Sequence, residues 1–79
     1  MPIVYFAILQ ALVRLGGGGR TQDVAEVAGY AYNGFSIYRP KLVKKHWADC
    51  RHGFWIITER GKIALAIEVG RQTKRRGVK

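Results

Sequence analysis

Apolar residues recur at helical spacing through residues 3–15 and then stop at a run of glycine. Val4, Ile8, Leu12 and Leu15 fall on one face, but Tyr5, Phe6, Leu9 and Val13 make the other faces apolar too. A helix that is apolar nearly all round is buried on more than one side. Pro2 suits the entry to this helix, where a missing N–H is tolerated. Gly16 to Gly19 would lose too much entropy in a helix, so they predict a flexible connector whose first residue is a left-handed cap. They lack the flanking strand and the Gly-Lys-Ser/Thr ending of a phosphate-binding loop. Thr21 is a good N-cap for a second helix over 22–28, with Asp23 and Glu26 early in it and Gly29 ending it.

Asn33 and Ser36 compete to cap a third helix that reaches His46. A cap at Asn33 would put Pro40 in the helix interior, where it kinks the chain. A cap at Ser36, or an irregular first turn, is the better fit. Phe35, Tyr38 and Leu42 recur at three and four residues and should face the core. Two strands follow, over 47–50 and 54–57, turning through Arg51-His52-Gly53, where Gly53 permits positive φ. Their alternation puts Trp55 and Ile57 on one face, Phe54 and Ile56 on the other. Thr58 caps a last helix to residue 69, with Ile63, Ala64 and Ile67 inward and Leu65 at the margin of that face. Gly70 ends it. Residues 71–79 carry Arg71, Lys74, Arg75, Arg76 and Lys79 with almost nothing apolar, and predict a disordered basic tail. The expected fold is mainly α with a small β-hairpin (α+β), in the order α-α-α-β-β-α. One domain covers residues 1–70, and the tail follows.

With 79 residues, a single small core is marginal by itself. Hydrophobic residues make up 48% of the chain, which favours dimerisation through the apolar first and last helices. The apolar runs are only about seven residues, too short to span a bilayer, and no secretory signal precedes them. The lone Cys50 allows no internal disulfide. These features predict a soluble, cytoplasmic protein. The net charge of +9, from fourteen Lys and Arg against five Asp and Glu, asks for an anionic partner, of which nucleic acid is the commonest.

Two patterns carry a family resemblance. Ala25 is followed four residues later by Gly29, then by Tyr30, Phe35 and Tyr38, which resembles the spacing of a helix-turn-helix. Lys41-Leu42-Val43-Lys44-Lys45, a basic hairpin, and Ile57-Thr58-Glu59-Arg60-Gly61-Lys62 then resemble the recognition helix, wing and following helix of MarR-like and PadR-like winged-helix regulators. The resemblance implies a winged helix-turn-helix that binds double-stranded DNA as a homodimer. Residues 33–46 would be its recognition helix in the major groove, and residues 47–57 its wing on the backbone or minor groove. It is compatible with a nucleoid-associated protein, or with a viral or plasmid origin and action in the host cytoplasm. The chain departs from the pattern in its long aromatic turn after Gly29, in Gly34 and Pro40 within the recognition helix, and in glycines that leave little room for a strand after the first helix.

If the third helix enters a groove, Ser36, Ile37, Lys41 and Lys44 lie on its outward face, with Arg39 and Lys45 flanking it. Asn33 could bond an adenine edge at two points. Lys44 and Lys45 suit phosphates, which position without reading sequence. Arg51 and His52 occupy the wing tip, and Lys74, Arg75 and Arg76 of the tail would add affinity through counterion release. Each of these charges, taken singly, also fits a solvated surface. Trp47, at the helix-to-strand junction, is assigned to the core; Trp55 could pack there or stack on bases. His46, Cys50 and His52 supply too few converging ligands for a metal site. No nucleophile, base and orienting group are arranged for catalysis, so no enzyme activity and no cofactor are expected. A winged-helix adaptor for protein or structured RNA is the alternative. A membrane-surface role ranks last, because the tail has no apolar residues to insert.

Overall fold

The structure, a computed structural model, describes residues 1–77, with side chains as far as Gln72. It is an α+β fold. Helix α1 (Ile3–Arg14) leads into strand β1 (Gly18–Arg20) and helix α2 (Thr21–Ala28). A single 3-10 turn, Phe35–Ile37, precedes α3 (Tyr38–Lys44). Strands β2 (Ala48–Arg51) and β3 (Phe54–Ile57) form the hairpin, and α4 (Glu59–Gly77) closes the chain. The sheet is antiparallel, in the order β1-β3-β2.

β1 corrects the expectation of a flexible glycine connector. Gly18 pairs with Ile56 and Gly19 with Trp55. Glycine is needed here for close approach, not for freedom. A Cβ on Gly18 would lie 2.5 Å from the Trp55 carbonyl oxygen, and one on Gly19 would lie 2.9 Å from Leu15 Cδ1. The absence of side chains hides the alternation by which a strand is normally read.

α1, α2 and α3 stop in the same way. At Gly16, Gly29 and His46 the chain turns left-handed, with φ of 86°, 86° and 61°. The next N–H then reaches back to the fifth preceding carbonyl: Gly17 to Leu12, Tyr30 to Ala25, Trp47 to Leu42. This is the Schellman cap. The glycine stops at Gly16 and Gly29 are as expected; His46 stands where the other two helices use glycine.

The starts of the helices differ more from expectation. Thr21 does not cap α2, which has no side-chain cap bond. Its hydroxyl is engaged by the hairpin instead. Neither Asn33 nor Ser36 caps the third helix; the irregular first turn is a 3-10 turn entered from Gly34 at φ 80°. Pro40 becomes the third residue of α3, where no interior hydrogen bond is lost. Thr58 does cap α4: its oxygen accepts the Gly61 N–H at 3.0 Å and its hydroxyl donates to the His46 carbonyl.

The core gathers Ile8, Leu9 and Leu12 from α1, Val24 and Ala25 from α2, then Phe35, Leu42, Ala48, Ile57 and Leu65 around Trp55. Trp55 is the largest fully buried side chain, which settles its place in the core. Trp47 is half-buried, edge-on to Tyr5 with ring centroids 6.2 Å apart. Trp55 and Ile57 face inward and Phe54 and Ile56 outward, as the alternation predicts.

α4 is rotated from its expected setting. Leu65 is buried, whereas Ile63 and Ile67 are 57% and 59% exposed. Gly61 causes the rotation: it is buried against the Trp47 carbonyl, with no room for a Cβ. Leu65 and Glu68 follow it at four and three residues, so that face turns inward. The Glu68 carboxylate meets the Met1 α-amino group at 3.4 Å and Arg71 at 3.7 Å. Burial raises its pKa, but these cations and Gln72 outweigh that and hold it below the ordinary carboxylate range. Gly70 does not end the helix, which runs on to Gly77. Val78 and Lys79 lie outside the described residues.

Candidate nucleic-acid interface

α3 is held by one face. Phe35 and Leu42 are fully buried, and Tyr38 packs against them. Phe35 sits 5.5 Å from the Trp55 ring and 5.8 Å from Tyr38, centroid to centroid. Residues 36, 37, 39, 40, 41, 44 and 45 are all exposed, so Ser36, Ile37, Arg39, Lys41, Lys44 and Lys45 lie outward as their spacing predicts. The helix proper is shorter than the expected 33–46. Asn33 lies before it in the exposed α2–α3 connection, beside Ile37 and Tyr38 in a shallow hollow of about 340 Å³.

The charge on this face is uncompensated. Among the described residues the ion pairs involve only Glu59 and Glu68, on α4. Arg39, Lys41, Lys44 and Lys45 therefore present four cations with no acidic neighbour in contact. The Lys45 ammonium lies 5.2 Å over the Trp47 ring, a cation–π contact at the end of the helix.

The hairpin turns tightly. His52 and Gly53 both have positive φ, 52° and 76°, the signature of a two-residue type I′ turn. The expected three-residue turn is thus shortened, and Arg51 belongs to β2. Arg51 and His52 are exposed at the tip. The tip does not swing freely: Gly53 accepts hydrogen bonds from the Thr21 N–H at 3.0 Å and the Thr21 hydroxyl at 3.1 Å. Around this junction Arg51 and His52 border a hollow of about 440 Å³ together with Arg20, Gln22 and Tyr32. Tyr32 brings the α2–α3 connection up to the hairpin tip.

Arg20 was not among the residues expected from sequence. Its signal was its place at the end of a strand that the glycines conceal. The side chains of Lys74, Arg75 and Arg76 lie outside the described ones. Among the described residues no three His, Cys, Asp or Glu side chains converge as metal ligands. No helix there is long and apolar enough to cross a membrane. Neither a comparison with protein-family models nor one with curated proteins finds a match for the chain.

Proposed function

We propose that this chain is a winged-helix DNA-binding protein, a small transcriptional regulator acting inside the cell as a homodimer. The observation that carries the reading is the division of α3. The buried side of α3 and of the 3-10 turn before it anchors on Trp55 through Phe35, while the outward side presents Arg39, Lys41 and Lys44, with Lys45 just past the helix end, without acidic partners. An α-helix fits the major groove. Lys41 and Lys44 then meet phosphates, and Ser36, Ile37 and Asn33 lie nearest the base edges. Arg51 and His52 reach the flanking backbone or minor groove.

The dimer reading rests on α1 and α4, which pack together and leave Ile3, Ile63 and Ile67 more than half exposed. A second copy would cover apolar surface that is costly in water.

Selection of bound sites from random duplexes tests both parts. The expected result is an enriched site with two-fold symmetry, its half-sites about one helical turn apart. Recovery of no enriched sequence, with affinity only for structured RNA or protein, would replace this reading with that of an adaptor.

A further inference from the structure

The outer face of the sheet carries a row of side chains that the duplex-binding reading leaves unused at its centre. Directly opposed residues of an antiparallel pair point to the same face. Arg20 of β1 lies opposite Phe54 of β3, and Arg51 of β2 lies opposite Phe54 on the other side. The three therefore stand in line across the sheet. They face away from the core, because the next residue along β3, Trp55, is the buried one.

Phe54 is 45% exposed on the central strand. Its ring leans over Gly18: a Cβ there would come within 3.2 Å of Phe54 Cε2. The glycine backbone supports the ring from the β1 side. Each arginine backbone lies one strand spacing away, about 4.8 Å. The hollow of about 440 Å³ beside the row, rimmed by Tyr32 and His52, is within the size range of small-molecule sites. Asp49, the nearest acid on β2, stands in the next row opposite Ile56, where its carboxylate accepts the Cys50 N–H at 2.9 Å.

We propose that this row binds an unpaired nucleotide: the base stacks on Phe54, and Arg20 and Arg51 hold the phosphates on its two sides. An apolar partner surface would strand two arginines without counter-charges. A bare phosphate would have no use for the ring. A base in a single strand satisfies both, since every base has a π-face and a backbone charge on either side. The site spans β1, β3 and β2 and does not depend on α3; it shares Arg51 with the duplex-binding reading, but its central residue, Phe54, is not used there, so substitutions at Phe54 and on α3 test the two separately.

The test is fluorescence anisotropy of the full chain with labelled oligo-dT and oligo-U of about 10 nucleotides, alongside a blunt duplex. Phe54→Leu, which keeps an apolar cover over Gly18, should weaken single-strand binding about ten-fold, within the range that stacking supplies. Phe54→Trp should restore it. Duplex affinity should not change in either variant. Lys41→Glu with Lys44→Glu should do the reverse, losing the duplex and keeping the single strand. Comparison of the two oligomers shows whether DNA or RNA is preferred. Wild-type single-strand affinity in Phe54→Leu, or no measurable single-strand binding by the wild-type chain, would overturn the proposal.

Discussion

The Trp55 indole N–H donates to the Thr21 hydroxyl at 2.7 Å, and that hydroxyl donates in turn to the Gly53 carbonyl at 3.1 Å. One side chain at the start of α2 thus joins the centre of the core to the tip of the hairpin. Thr21→Val keeps the shape but removes both bonds, leaving a buried indole N–H without a partner. The expected cost is about 2 kcal/mol, read as a lower urea midpoint. Thr21→Ser, which keeps the hydroxyl, should lose much less. Equal stability of Thr21→Val and wild type would show that the relay contributes nothing.

Gly61 and Gly70 lie on the same helix in opposite circumstances. A Cβ on Gly61 would collide with the Trp47 carbonyl, whereas one on Gly70 meets nothing within 4 Å. Alanine normally stabilises a helix interior relative to glycine by about 0.5–1 kcal/mol. Gly70→Ala should therefore raise the thermal midpoint. Gly61→Ala should lower stability by about 1–3 kcal/mol, because backbone cannot move aside as a side chain can. The opposite signs of two identical substitutions are the check.

His46 holds a left-handed conformation that glycine holds at the ends of α1 and α2. Its carbonyl receives the Thr58 hydroxyl, and its side chain is exposed. His46→Gly keeps the backbone bonds and relieves the Cβ strain, so it should stabilise the fold by up to about 1 kcal/mol. A lower thermal midpoint in His46→Gly would mean that the ring makes a contribution of its own.

What the sequence pattern reveals of this fold and what it hides divide along physical lines. Phe35, Tyr38 and Leu42 were legible because a helix with one buried face repeats every three to four residues. The inward Trp55 and Ile57 were legible because strands alternate. What the pattern could not reveal was set by atoms the glycines lack. β1 is a strand whose Gly18 and Gly19 have no side chains to alternate, so neither it nor Arg20 at its end is legible in the pattern. The pattern points to the wrong face of α4 because Ile63 and Ile67 look like core, while the residue that fixes its rotation is Gly61. Thr21 reads as a cap for its own helix because the partner that claims its hydroxyl, Trp55, lies 34 residues away in sequence. For the interface, the outward set on α3 followed from the same periodicity that placed its anchors. Arg51 and His52 followed from the turn. The join between hairpin tip and α2 depends on tertiary contact alone.

The central claim, that the outward cations of α3 engage duplex phosphates, is tested most directly by the salt dependence of duplex binding. Each phosphate neutralised contributes about 0.9 to the slope of log affinity against log salt. Lys41→Gln combined with Lys44→Gln should weaken binding to every duplex and reduce the slope by about two. An unchanged slope in the double variant, or wild-type binding that is indifferent to salt, would contradict the account.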